Sequence, residues 1–411
     1  MFGIPREKKI AQSGVRRVFT PHSPVDDTEN FFGREEEASR FVSVINTEGQ
    51  HVLVYGDRGV GKTSLATTSC RVLLRGIMGG GKYIEKRCDS SDTFESIVLK
   101  VLQGLDLTHQ EKETTHTTHG GGKASVGIPV LGAEIDSRRE KATKVIHQIN
   151  LSSPSWVADQ LQKKSGIFLI DEVDALSNSG DRKKLAELVK LLSDNKSKLK
   201  IVMVGIANTG SELTSGHPSV QRCLKEVQLK RMMDDDIKKI ILNGFKKLGQ
   251  RPSEEVVEKI TEISAGLPHF THLICLKCAE HSVVNGNKHI STDFLNLALE
   301  ESVKDSENAL KDSYTNCLHS FNKTLEYKMI VLGAAHCKSP TFRPVDIRQQ
   351  LRDKVSVEVE TAVISRRLTA IIGKLDGIIE KCGRGYYRFV DPRMPSFVKM
   401  AHGADRKSVP I

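Results

Sequence analysis

The sequence predicts an α/β fold: a doubly wound parallel sheet carrying a phosphate-binding loop, then a helical bundle, then three helices with a hairpin. Three observations carry this. The string Gly56-Asp57-Arg58-Gly59-Val60-Gly61-Lys62-Thr63 follows an apolar run, His51-Val52-Leu53-Val54-Tyr55, and precedes a helical pattern opening at Ser64-Leu65-Ala66. This is the strand–loop–helix setting in which glycines curl the backbone so that its N–H groups face a phosphate. A second apolar run, Gly166-Ile167-Phe168-Leu169-Ile170, ends in Asp171-Glu172. Runs apolar on both faces are buried strands of a parallel sheet. Finally, strands alternate with helices until about residue 232, and from Asp234 onward the strands stop.

Taken in order, residues 1–30 lack periodicity and carry Pro21 and Pro24, so they read as an extended arm. Phe31-Phe32-Gly33-Arg34-Glu35 opens a helix. Residues 82–88 read as the second strand and 93–105 as the second helix. Residues 108–137 form an insertion, first polar with His116 and His119, then apolar and punctuated by glycine. The third strand is 166–172, the fourth 199–204, the fifth 226–229. In an open sheet of this kind ligands sit at the carboxyl ends of the strands, where the loop, Asp171, Glu172 and Asn208 all fall.

Four helical stretches, 234–248, 253–264, 267–284 and 291–303, make the bundle. A linker of low periodicity leads to the third block. There helical runs at 325–335, 344–352 and 361–374 precede strands at 377–381 and 386–390, turned by Gly383-Arg384-Gly385. Three helices and a hairpin is the winged-helix pattern. The implied division is an arm at 1–30, a nucleotide-binding domain at 31–232, a helical lid at 233–305 and a winged helix at 323–400.

The chain has 411 residues, a net charge of +10 and eight scattered cysteines. The charged opening, Met1-Phe2-Gly3-Ile4-Pro5-Arg6, has no signal-peptide core, and no run is long enough to span a bilayer. A cytoplasmic, membrane-free setting is expected. From residue 323 onward, 17 Lys and Arg stand against 9 Asp and Glu. Such an excess points to an acidic partner, most simply nucleic acid, or to a solvated basic surface.

Chemistry follows from residue type. Lys62 can reach the outer phosphates, and Thr63 with Asp171 can hold Mg²⁺. Glu172 is placed to polarise the attacking water. Asn208 can orient that water, or simply make a turn before Thr209-Gly210. Arg222 precedes the fifth strand and can point into a neighbouring subunit's nucleotide, or into solvent; Arg231 is the second candidate. His269, or His272 one turn on, can reach phosphate or pack in the bundle. Cys275 and Cys278 have half the spacing of a zinc site but lie on an apolar helix, and read as buried thiols. In the third block Arg366, Arg367, Lys374, Arg384 and Arg388 would contact DNA phosphates, unless the helices only pack on protein.

Together, Phe32-Gly33-Arg34-Glu35, the loop at 56–63, Leu169-Ile170-Asp171-Glu172-Val173-Asp174 and Gly205-Ile206-Ala207-Asn208-Thr209 resemble an AAA+ ATPase of the origin-recognition and initiator type, or a close relative among signalling NTPases. The resemblance implies ATP and Mg²⁺ as ligands, with Phe32 and Arg34 near the adenine. It implies nucleotide contacts from the loop residues through Ser64 and from Pro268 and His269 of the lid. It also implies Asn208 as the sensor, Arg222 as the finger and a homo-oligomer on DNA or with an effector protein. One departure matters. Where the family's lid brings an arginine, Gly266-Leu267-Pro268 is followed by His269. The Gly-x-Pro form is similar to STAND signalling NTPases and implies a slow, ATP/ADP-controlled switch acting on a separate effector.

Overall fold

A computed structural model describes residues 4–24, 31–76, 81–107, 151–207, 209–214, 220–374 and 377–404. The insertion at 108–137 and Asn208 lie outside the described residues. The chain divides into two units. A sheet unit comprises residues 34–57 and 62–230; a helical unit comprises residues 1–33, 58–61 and 231–411.

The chain opens with α1 (Ile4–Ser13) and α2 (Val15–Val18), which belong to the helical unit. The sheet unit then runs α3 (Glu35–Asn46), β1 (His51–Gly56), α4 (Lys62–Gly76), β2 (Lys82–Arg87), α5 (Phe94–Gly104), α6 (Pro154–Leu161), β3 (Gly166–Asp171), α7 (Ser179–Asp194), β4 (Leu199–Ile206), α8 (Gly210–Leu213) and β5 (Leu224–Leu229). All five strands are parallel, in the order β2-β3-β4-β1-β5. The expected parallel α/β sheet is therefore present. Every residue of β1 and β3 is buried, as strands covered on both faces must be. Phe94, Ile97, Val98, Val157, Leu161, Phe168, Ile170, Leu188 and Met203 share one core.

In the helical unit follow α9 (Asp234–Lys247), β6 (Arg251–Pro252), α10 (Glu254–Ser264), α11 (Pro268–Asn285), β7 (His289–Ile290), α12 (Thr292–Asp305), α13 (Asn308–His319), α14 (Thr324–Ala335), β8 (Thr341–Phe342), α15 (Pro344–Gln350), α16 (Thr361–Ile372), β9 (Ile379–Gly383), β10 (Tyr386–Phe389) and α17 (Met394–Ala404). Strands β8, β10 and β9 form a small antiparallel sheet. Helix α17 packs against both α12 and α14, so Phe397, Val398 and Met400 join bundle and third block in one core.

Two expectations fail here. The aperiodic N-terminal arm is helical: Ile10, Val15 and Phe19 are buried, and Phe19 stacks edge-on against Phe245 of α9 at 5.2 Å. Arg16 ties α2 to Glu280 of α11 at 2.9 Å. The linker before the third block is helix α13, whose buried residues are only Leu310, Cys317 and Leu318. Leu310, Tyr314, Cys317 and Leu318 keep helical spacing, but this one short stripe is interrupted by polar residues and the helix is held by tertiary packing.

Candidate functional site

The phosphate loop begins where β1 ends. Gly56 has φ 148°, and a Cβ there would lie 2.2 Å from the Leu229 carbonyl oxygen of β5, so only glycine fits. Gly59 and Gly61 have φ 84° and 94°, in the region open to glycine. Lys62 opens α4. Its Nζ donates to the Gly56 and Asp57 carbonyls at 3.0 and 2.8 Å, which curls the loop around the ammonium. The N-terminus of a helix carries positive potential, and α4 places its own at this end of the loop. Val60 is buried, and Arg58 lies 3.6 Å from Glu307 within the helical unit.

Across β4 from the loop stands the acidic pair. Asp171, the last residue of β3, is 2% exposed. Its Oδ2 accepts the Thr63 hydroxyl at 2.9 Å and its Oδ1 accepts the Glu172 N–H at 2.9 Å. Burial raises the Asp171 pKa above the ordinary carboxylate value; the Thr63 and Glu172 hydrogen bonds and the Arg87 charge oppose that rise. Glu172 takes a left-handed backbone, φ 58° and ψ 41°, which turns the chain out of the strand and leaves its side chain exposed. A non-glycine residue in that region costs roughly 1–2 kcal/mol. Asp174, the last residue of the acidic string, accepts the Ile206 N–H at 2.7 Å and joins this turn to the end of β4.

The Thr63 hydroxyl and the Asp171 carboxylate are hard oxygen donors meeting at one point, a pair that suits Mg²⁺. A divalent cation held by these two oxygens would supply positive charge against phosphate. At this end of the sheet the chain brings together a glycine-turned loop, the Lys62 ammonium and the exposed Glu172 carboxylate.

The remaining predicted residues divide. Arg34 is buried and bound to Glu37 and to the Lys230 carbonyl, so its guanidinium braces α3 against the end of β5. Phe32 lies under Lys247 of α9, 5.4 Å from its Nζ, inside the helical unit. Pro268 begins α11. His269 faces the Pro21 carbonyl at 2.9 Å through Nδ1. His272 is a core residue: Nδ1 accepts the Thr20 N–H at 3.1 Å, and burial lowers its pKa to about 4. Arg222 sits before β5, at the amino ends of the strands, opposite the end that carries the loop of its own chain. It is 74% exposed with Asp194 at 3.8 Å. Arg231 donates to the Ala265 and Pro392 carbonyls and is a structural brace.

In the third block the expected outward basic face is partly occupied. Arg367 grips both Glu326 oxygens, at 2.9 and 2.8 Å, and binds α16 to α14. Arg388 pairs with Glu380 across the hairpin at 2.6 Å. Lys374 lies beyond the end of α16, 4.9 Å from the Phe321 ring centre. Arg366 and Arg384 are exposed.

A glycine-turned loop feeding a helix from the central part of a parallel sheet, with Asp171 brought onto Thr63, defines the class: a P-loop NTPase fold of the AAA+ kind. The sequence profile of the novel STAND NTPase 1 family matches residues 21–275, more than half of the chain, and the chain belongs to that family. The Gly266-Leu267-Pro268-His269 departure pointed to the same side of the resemblance. Among solved structures the chain is similar to the Walker-type ATPase PABY2304 of Pyrococcus abyssi. The TM-score is 0.50 at 18% identity, over 93% of this chain and 99% of that one, a likeness of fold. Weaker likenesses are to the Aeropyrum pernix ORC1 protein solved in complex with DNA (TM-score 0.48, 14% identity, 94% and 96% covered). Another is the Thermotoga maritima RuvB Holliday junction branch migration motor (0.43, 14%, 89% and 95%). The comparison with curated proteins yields no match. Among the described residues no helix is long and apolar enough to cross a membrane.

Proposed function

We propose that this protein binds and hydrolyses ATP with Mg²⁺ and uses the ATP/ADP difference as a conformational switch for a separate effector. The observation that carries the reading is the 2.9 Å contact between Thr63 and Asp171, which joins the phosphate loop to the acidic strand end. In the proposed reaction Lys62 and the backbone of residues 56–63 hold the phosphates, and Glu172 takes a proton from the attacking water. Family membership and the absence of an arginine after Gly266-Leu267-Pro268 favour a switch over a fast motor. Asn208 remains the proposed sensor.

The test is nucleotide binding and turnover with ATP and GTP for wild type, Lys62→Ala and Glu172→Gln. Lys62→Ala is expected to lose binding. Glu172→Gln is expected to keep binding while turnover falls about 10²-fold or more, the usual contribution of a general base. A Glu172→Gln protein that hydrolyses at the wild-type rate overturns the assigned role.

A second reading, assembly on DNA, is favoured by exposed Arg366 and Arg384 on the helix-and-hairpin block, which we read as a winged helix, and by exposed Arg222 at the far end of the sheet. Arg366→Glu with Arg384→Glu should weaken duplex binding and flatten its salt dependence. Arg222→Ala should remove ATP-dependent oligomers in mass photometry. Monomers that ignore duplex at low salt exclude this second reading.

A further inference from the structure

Arg87 closes β2, the edge strand, and stands opposite Asp171 in the parallel register. The Cys88 N–H donates to the Asp171 carbonyl at 2.9 Å, so the backbone fixes this pairing beyond the last residue of the strand. Laterally paired residues of neighbouring strands project to the same face. The guanidinium Nε accordingly lies 3.9 Å from Asp171 Oδ2, the oxygen that also accepts the Thr63 hydroxyl. Its Nη2 lies 3.9 Å from Glu85 Oε1, two residues back on the same face of β2. The Arg87 side chain is 53% exposed, against 3% for Asp171. One end of the cation is thus held near a buried carboxylate, while the rest is free to move in water and has a second carboxylate within reach.

We propose that Arg87 is a positioning residue that competes with a divalent cation for Asp171 Oδ2 and so sets the Mg²⁺ concentration at which nucleotide is retained. The proposal rests on the nucleotide-hydrolysing reading above. Two cations cannot share one carboxylate oxygen without repulsion, so loading the metal displaces the guanidinium towards Glu85. Glu85 lowers the cost of that displacement by receiving the charge. Both directions are testable because the two side chains act oppositely. Removing Arg87 eases metal entry, and removing the Glu85 charge hinders it.

The experiment measures retention of a fluorescent ADP as a function of Mg²⁺, and separately of Mn²⁺, for wild type, Arg87→Ala, Arg87→Lys and Glu85→Gln. Each protein is also measured in excess chelator, and its thermal midpoint is recorded. Arg87→Ala should lower the half-saturating metal concentration about fivefold, the effect expected of one solvent-screened charge near 4 Å. Arg87→Lys should restore most of the wild-type value, and Glu85→Gln should raise it. Nucleotide affinity in chelator should not change. An Arg87→Ala protein with a wild-type melting point and an unchanged metal midpoint overturns the proposal and leaves the nucleotide reading intact. Failure of the wild-type protein to bind ADP at any metal concentration overturns both.

Discussion

At the scale of single residues, the sheet unit holds an ionisable group whose chemistry is set mainly by burial. His51 begins β1 and is 1% exposed; its Nδ1 accepts the Ile201 N–H at 2.9 Å. Burial, with a smaller contribution from the Lys200 charge, lowers its pKa to about 3. A histidine whose pKa falls on folding favours the folded state above its unfolded value near 6.5 and loses that contribution as pH falls towards about 3. Within that window the loss approaches about 1.4 kcal/mol per pH unit. Urea midpoints followed by circular dichroism from pH 7.5 to 4.5 should fall on acidification. His51→Gln should show a shallower fall, and an identical slope would show that His51 is not the group responsible. The same scale shows what a linear reading can and cannot find. Lys62, Thr63, Asp171 and Glu172 were legible because their chemistry is written in contiguous strings. Arg87 was not, because it reaches Asp171 only through the pairing of β2 with β3, which places residues 84 positions apart side by side.

At the scale of elements, close backbone approach decides which positions tolerate change. Gly166 has φ 143°, and a Cβ there would lie 2.2 Å from the Lys82 carbonyl oxygen of β2. Gly166→Ala must push β2 away from β3, at a cost of about 3 kcal/mol or more. Gly385, in the β9–β10 turn, has φ 78° with nothing within 4 Å of a built Cβ. Gly385→Ala should cost only about 1 kcal/mol, from backbone strain alone. Comparing the two melting curves separates crowding from conformation; equal losses would refute the crowding argument. Strands β1, β3 and β4 were readable because both faces are apolar. Helices α1 and α13 were not. Helix α1 shows one buried side chain among its described residues, Ile10, and α13 one short stripe among polar residues; what stabilises both lies elsewhere in the chain.

At the scale of the whole molecule, the helical unit is assembled from both ends of the sequence. Phe19 meets Phe245 and His272, and the close approach of its ring to Gly244 leaves no room for a Cβ at that position. Phe19→Ala should destabilise this unit by about 3–5 kcal/mol, the usual cost of emptying a buried phenylalanine site. Hydrogen exchange should report the loss in α9 and α11 while β1 and β3 keep their protection. Uniform loss over both units would contradict the division into two. The bundle and the third block read as separate domains in the sequence because periodicity lapses between them. Helix α17, from the far end of the described chain, supplies the core they share.

The distance along the chain between α2 and its partners also sets a clock. Thr20 and His272 are 252 residues apart. At a synthesis rate of about 5–20 residues per second, the N-terminal helices wait roughly 13–50 s before α11 exists. Through that interval Ile10, Val15 and Phe19 lack the surface that α11 supplies. The apolar side chains of this segment therefore stay without the cover of α11 until residue 272 has been made.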